Sequence, residues 1–542
     1  MEPTSTSGLE LQETQTASPD PNTAEQPPTT QDQYPTGLRF IFLTIGLILS
    51  IFLAALDSSI LSTAIPRITD HFGTVKDVGW YSAGYTISNA AFGSTWGRSY
   101  KFFPLMATFS TAIAIFEAGN VICALARNSA TLILGRMVAG VGGGGIMTGC
   151  FIVIALSVKP ALRAAYMGVL GVTFGTASVT GPLLGGFLTD GPGWRWCFWV
   201  SLPIGVLAGV LVGVTFKTPF AARPVSCAVR EKLFSLDLLG ACMVMGSMSC
   251  FTLAMQRAAI PSQWHSPRVI IPLCSSVILL VLFILNERVM GVRAMIQTHL
   301  LKRRNISLNL IYQFFLGGLF FPLTYTLPIQ FQSVGNSSAT QSGIRLIPLI
   351  LGVSIFTMVA NGLLTFSRRF TTPFLLLGAA AGTLGAGLVH TLGAEAGTAP
   401  WIGYELLVGF GVGIALQVPM IANQAAVGVE DMAAITSLTL FVENVGAAVF
   451  IASTEAAFTN GLVRGLERDV PWLGAEMVID TGATRIREVF GGDERGLEGV
   501  LRSYLGGCRD GQLVPISCGA AAVVVSLCVV GRGFGKEVRK RV

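Results

Sequence analysis

Long apolar stretches recur along the whole chain, each close to the length of a membrane crossing and each followed by a short polar turn. A helical span needs about 20 mainly apolar residues. Residues 40–65 carry one charge, Asp57; 78–97 carry none; 102–126 carry only Glu117; 131–156 carry only Arg136; 164–189 and 196–216 carry none. A basic stretch follows, then apolar runs at 238–256 and 269–285, and further runs around 306–330, 346–366, 371–393, 400–420, 433–457 and 513–531. Helices are predicted for all of them, because a helix satisfies its own backbone hydrogen bonds where no water is available. The pattern predicts an all-α membrane protein with fourteen transmembrane helices.

Composition agrees. Of 542 residues, 51% are hydrophobic and 12% charged, about half the charged fraction of a soluble domain. Lys and Arg set the expected orientation. With the N-terminus in the cytoplasm, 21 basic residues fall on inner loops and tails and 7 on the short outer loops. Both termini are then cytoplasmic, with 461–512 as an outer loop between the last two helices. Residues 1–38 hold six acidic residues, no Lys or Arg, and much Thr, Ser, Pro and Gln, which predicts a disordered tail. Residues 536–542 form a basic tail.

The remaining chemistry is sparse. The cysteines lie mostly inside apolar runs without a CxxC pair, and His71, His265, His299 and His390 are scattered. Neither a metal site nor a catalytic residue is indicated, and no cofactor or nucleic-acid partner is expected. A GxxxxGK[ST] phosphate loop is absent, so direct ATP drive is not expected. Leu134–Gly145 and Leu406–Gln417 are glycine-dense helices of similar rhythm, eight spans apart. This suits two six-helix halves, 39–216 and 305–535, joined by a linker, 217–304, that carries two extra spans. Close helix packing explains glycine stripes equally well.

Several motifs resemble those of one family. Asp57-Ser58-Ser59-Ile60 through Pro66, Leu134-Gly135-Arg136 with Ala139-Gly140-Val141-Gly142, Ala177 to Gly186 with its Thr180-Gly181-Pro182 core, and Trp194-Arg195-Trp196 before Leu202-Pro203-Ile204-Gly205 stand in sequence. Together they are similar to the first-, fourth-, fifth- and sixth-helix motifs of the major facilitator superfamily's fourteen-helix drug:proton antiporters. Within that family they look closest to the fungal toxin-efflux group, which includes aflatoxin and HC-toxin exporters. The fifth-helix motif is the most specific, because exporters carry it. One departure stands out: the loop after the second helix reads Gly93-Ser94-Thr95-Trp96-Gly97-Arg98-Ser99-Tyr100-Lys101, with Gly97 where the family has an acid.

The resemblance implies a proton-coupled exporter of small, largely apolar molecules such as a toxin, secondary metabolite or drug. The alternative on the same fold is an uptake symporter for a nutrient or siderophore. A charge in mid-membrane costs about 3 kcal/mol or more and so faces a wet cavity or a partner. Asp57, Arg136, Glu117 and Glu443 are therefore the candidates for proton coupling; each could instead be a structural bridge, and Arg136 could snorkel to the outer interface. Glu405 reads as an interfacial acid. Gly181, Pro182, Gly185 and Gly186 are the candidate conformational motif, with Pro182 permitting a kink. Gln417, Phe314, Phe315 and Tyr325 are candidates for the substrate pathway, although lipid-facing aromatics are common. Asn336-Ser337-Ser338 is a glycosylation sequon on the expected outer side. The expected partners are protons, a small-molecule substrate and the lipid bilayer. The chain is expected to be a monomer in the plasma membrane, or alternatively in a vacuolar or vesicular one.

Overall fold

The computed structural model describes residues 37–72, 77–216, 228–258, 264–367, 371–393, 397–481 and 486–541; nearly all of the acidic N-terminal tail lies outside them. The first bundle comprises α1 (Leu38–Phe72), α2 (Val78–Phe102), α3 (Leu105–Ala124), α4 (Ser129–Ser157) and α5 (Arg163–Asp190). Its sixth crossing is made of α6 (Trp196–Trp199) and α7 (Ser201–Thr215). A short α8 (Val229–Phe234) leads to α9 (Leu238–Ala258) and α10 (Pro267–Met290), and α11 (Thr298–Leu301) leads out. The second bundle comprises α12 (Arg304–Ser333), the short α13 (Ala339–Arg345), α14 (Ile347–Phe366), α15 (Thr371–His390), α16 (Thr398–Ala415) continued by α17 (Val418–Ala425), and α18 (Val429–Asp469). After α19 (Ala475–Thr481) and α20 (Ile486–Phe490), α21 (Glu494–Arg541) closes the chain. We call the face where α1 begins the near face and the opposite one the far face.

Among the described residues, thirteen helices are long and apolar enough to cross a membrane. The fourteenth long helix is α2, which has the length, at 25 residues, but carries many polar side chains. Its setting explains this. Tyr81, Tyr85, Ser88, Ser94, Trp96 and Tyr100 are all buried, because α2 is packed against α4, α18 and α9 and shows little surface to lipid. A helix enclosed by protein can carry polar groups that a lipid-facing one cannot. In contrast, α10 is 17% buried over its most apolar stretch, with Ile271, Ile278 and Val289 on its exposed side.

Small residues set the closest helix contacts. A methyl group at Gly142 of α4 would collide with the backbone of Phe116 in α3, and one at Gly140 with the carbonyl of Tyr85 in α2. These are the close backbone approaches that small residues permit in lipid, where burial gives little net drive to helix association.

The segment 461–512, expected as a loop, is largely helical over its described residues. α18 runs on to Asp469 and α21 starts at Glu494, giving helices of 41 and 48 residues. At 1.5 Å per residue both far exceed a hydrocarbon core about 30 Å thick. Their far ends pack side by side, with Gly465 against Ser503 and Gly507 against Leu462. With α19 and α20 they enclose a small core of Leu466, Val470, Val478, Ile486, Phe490 and Tyr504. Asp and Arg residues on the outside of this cap hid the apolar ladder within it.

Candidate functional site

α4 starts at an Asn128 cap, whose side chain accepts from the Thr131 N–H at 2.8 Å, and two turns later presents Arg136. The side chain turns inward. Its Nη1 donates to Asp57 Oδ2 at 2.6 Å and its Nε to the Tyr81 carbonyl at 3.0 Å. The guanidinium lies 4.6 Å from the centre of the Tyr85 ring. Side-chain exposure is 1% for Arg136 and 2% for Asp57, so Arg136 does not snorkel to an interface. A guanidinium held by carboxylate, carbonyl and aromatic face has most of its hydration replaced. Asp57 keeps one oxygen, Oδ1, buried without a hydrogen-bond partner. The Tyr85 hydroxyl ties this cluster back to α1 by donating to the Ala54 carbonyl at 3.2 Å. Tyr81 and Tyr85 escaped the sequence reading, because an uncharged span gave no reason to look for polar partners within it.

Glu117 joins a different pair of helices. Its Oε2 accepts from Ser201 Oγ of α7 at 3.2 Å, and Gly205 leaves room for the carboxylate. Its other oxygen is buried without a partner. Glu405, expected at the interface, is fully buried and accepts from the Leu349 N–H at 3.3 Å. It satisfies one of the free backbone donors at the start of α14; a position near the end of an apolar run is not evidence of solvent contact when a second helix begins alongside.

In the second bundle, Glu443 Oε2 accepts from Gln313 Nε2 at 2.7 Å, and the same amide reaches the Leu416 carbonyl at 3.2 Å. That carbonyl sits where the crossing formed by α16 and α17 is interrupted, just before Gln417 and Pro419. Gln417 Oε1 accepts from Asn361 Nδ2 of α14 at 2.8 Å, and Thr357 Oγ1 donates to the Gly413 carbonyl at 3.0 Å. The break is thus held by side-chain amides and a hydroxyl, as a broken membrane helix requires. Phe314 and Phe315 pack on Phe450 with ring centroids 5.1 and 6.1 Å away. Tyr325 is 38% exposed, and Asn336 is exposed too, in the turn before Ser338 caps α13.

The glycines of α5 face two ways. Gly181 and Gly185 are pressed against Ser59, Ile60 and Thr63 of α1. Pro182 and Gly186 instead line a cavity of about 250 Å³ between α5 and the α13–α14 region, at the far face.

The two bundles meet at the near face. Gly97 of α2 lies against Ser437 of α18, Gly168 and Gly175 of α5 lie against Asn361 and Ser354 of α14, and Gly171 lies against Gln417. Lys101 pairs with Asp431 at 3.6 Å, and His299 Nε2 approaches the same carboxylate at 3.0 Å. Nearer the middle, Asn444 Nδ2 donates to Asn89 Oδ1 at 3.4 Å. The acid missing at Gly97 has a counterpart across the seam in Asp431, and the glycine permits the close approach.

A family model described as Major Facilitator Superfamily matches residues 47–451. The chain is 39% identical to the MFS-type transporter thnB of Trichoderma harzianum, over 93% of this chain and 85% of that protein. It is 38% identical to the probable efflux pump gsfJ of Penicillium aethiopicum, over 91% and 88%. It is 37% identical to the MFS-type efflux pump MFS1 of Trichophyton rubrum, over 86% and 87%. Among solved structures, a bacterial homologue of the human lysosomal transporter Spinster, inward-facing and unoccupied, superposes with a TM-score of 0.56 at 15% identity, covering 91% of this chain and 98% of that one. The human organic anion transporter MFSD10 superposes with a TM-score of 0.55 at 13% identity, covering 89% and 100%.

Proposed function

The chain belongs to the Major Facilitator Superfamily and is a multi-pass membrane transporter; from that premise we propose that it is a proton-coupled exporter of small, largely apolar organic molecules. Relatives named as efflux pumps, matched over most of their length, support the direction of transport. The coupling rests on one observation: Asp57 and Arg136 form a fully buried ion pair that ties α1 to α4. Such a pair has two discrete arrangements. Closed, it is neutral overall. Open, with Asp57 carrying a proton and Arg136 turned to another partner, it releases α1 from α4. A carrier that exposes Asp57 to opposite sides in its two conformations couples proton entry to cargo exit. Glu443, held by Gln313 next to the α16–α17 break, is the second titratable group in this reading. The reading involves no enzymatic step, and the chain works as a monomer.

The near face is cytoplasmic in this reading, on the Lys and Arg bias, and the protein sits in the cell membrane or in a vacuolar or vesicular one. Contact between the bundles at the near face, with the cavity at the far face, is then an outward-facing form. The energetics suffice. One proton crossing about 100 mV supplies ~2.3 kcal/mol and one pH unit a further ~1.4 kcal/mol, enough for a gradient of several hundred-fold in a neutral cargo. The test is flux in reconstituted vesicles with an imposed pH gradient, orientation being set by protease protection of terminal tags. Uphill cargo movement opposite to the proton is expected. Movement in the same direction as the proton would make the protein a symporter, and flux indifferent to the gradient would remove the coupling.

A further inference from the structure

Two crevices run between the bundles, one between α2 and α18 and one between α5 and α14, and they are treated very differently. α9 fills the first along its length. Towards the near face its Val244 and Met248 join Ile87 and Ala90 of α2 and Leu438 of α18 in one apolar cluster. Towards the far face its Ala254 and Met255 pack on Ala452 and Ala456 of α18. Asn460 of α18 donates to the Ala258 carbonyl at 2.8 Å, and α10 backs α9 through Ser247 Oγ, which donates to the Ser276 carbonyl at 2.9 Å.

The second crevice has no such cover. Its near half is closed by Gly168 and Gly175 lying against α14. Its far half widens into the cavity lined by Ser178, Pro182 and Gly186 on one wall and Gly343, Ile347 and Ile350 on the other. Gly186 and Gly343 have no atom within 4 Å of where a Cβ would stand, so both walls present open space rather than packed glycine. The lips are apolar and bare: Leu183 is 50%, Phe187 73% and Ile344 50% exposed. The polar groups are few, namely the Ser178 hydroxyl, which donates to the Phe174 carbonyl at 2.9 Å and keeps its lone pairs, and Asp190 at the mouth.

We propose that this cavity is a lateral portal through which an apolar cargo bearing a hydrogen-bond donor passes between the carrier and the far leaflet of the bilayer. The inference rests on the export reading above and adds the route and the class of cargo. A mostly apolar molecule leaves more readily into lipid than into water, since exposing its surface to water costs about 25 cal/mol per Å². The two extra helices make the exit one-sided: with α9 in the first crevice, only the α5–α14 side opens to lipid.

The test uses the full chain in lipid nanodiscs, with exposed Cys242, Cys274 and Cys528 and half-buried Cys250, and Cys227, which lies outside the described residues, changed to Ser and a bimane fluorophore attached at Ile347→Cys. A membrane-partitioning aromatic nitroxide with one hydroxyl, and its sulfonated water-soluble analogue, serve as quenchers. Saturable quenching by the first and not by the second is expected, and Gly343→Trp should weaken the saturable component by about tenfold or more, as for removing contact with one or two methylenes. Gly186→Trp fills the same space from the other wall and should do likewise, which covers the case where one variant fails to insert. Quenching that rises linearly and ignores both Trp variants, or that is equal for the sulfonated probe, would overturn the portal. Efflux of a membrane-partitioning dye from cells is measured alongside. If the parent protein exports no dye but the saturable quenching holds, the export reading fails and the portal stands.

Discussion

Removing one partner of the Asp57–Arg136 pair should destabilise the fold far more than removing both. The two groups are 2.6 Å apart with side-chain exposures of 2% and 1%, so neither can be rescued by water. Breaking such a pair from one side costs about 3–5 kcal/mol, while replacing both partners is often close to neutral. The two single changes should also differ. In Asp57→Asn, the buried guanidinium keeps the Tyr81 carbonyl and the Tyr85 ring but cannot shed its charge, placing the loss near the upper figure. In Arg136→Gln, the Asp57 carboxylate loses its Arg136 donor and its other oxygen lacks a partner, but it can take up a proton and become neutral, placing the loss near the lower figure. Even the lower figure is about two powers of ten in an equilibrium. Asp57→Asn/Arg136→Gln should recover most of the stability. Thermal unfolding of the purified protein in one detergent measures all four forms. Transport separates stability from coupling: the double variant should be stable and bind cargo yet fail to concentrate it under a pH gradient. Equal stability of the single and double variants would refute the buried-pair energetics. Parental uphill accumulation by the double variant would remove Asp57 from coupling and leave Glu443 and Glu117 as candidates.

Gly181→Leu should insert in the membrane yet lose export, because even its Cβ would clash with Ser59 and stand 3.0 Å from the Ile60 backbone nitrogen of α1, an overpacking of typically 1–3 kcal/mol; normal flux in a correctly inserted variant would reduce the motif to ordinary packing. Asp431→Asn removes the partner of both Lys101 and His299, which are partly exposed and worth about 0.2–1 kcal/mol. Labelling of a Ser437→Cys thiol from the near face should therefore rise by roughly 1.4- to 5-fold, and unchanged labelling would show that the ion pairs do not hold that end shut.

The long apolar spans were legible because lipid imposes one rule on every one of them: an apolar exterior of fixed length. α2 shows the limit of that rule, since its place inside the bundle relaxes the need for an apolar exterior. Its length and lack of charge up to Arg98 still marked it. Asp57 and Arg136 were legible one at a time as costly charges, but not as a pair, because 79 residues separate them and nothing in either span names the other. Gln313 and Asn361 were not legible at all. Neutral amides are affordable anywhere in a helix bundle, and their value here comes only from standing beside the Leu416–Gln417 break. The far-face cap was misread for the opposite reason: a charged surface over a small apolar core looks like a loop when only composition is weighed.

The two bundles hold their polar groups by different physics, and this bears on where movement can occur. In the first, an ion pair and a guanidinium–ring contact fix α1, α2 and α4 through one side chain, Arg136. On the proposed coupling, one proton on Asp57 would change the charge of that junction and so act as a switch. In the second, Gln313, Gln417, Asn361 and Glu443 share neutral or charge-assisted hydrogen bonds around an interrupted helix. Each bond is worth about 1 kcal/mol net, so losing any one of them costs far less than breaking the buried ion pair of the first bundle. Gln417 also lies against Gly171 of the first bundle, at the seam between the two bundles on the near side. The amide-held joint borders the α5–α14 seam through Gln417, and the ion pair is one helix removed from it, on α1, which packs along α5 through Ser59 and Gly181. If Asp57 is the proton site proposed above, α1 and the Gly181–Ser59 contact are the packed route from it to the α5 wall of the cavity.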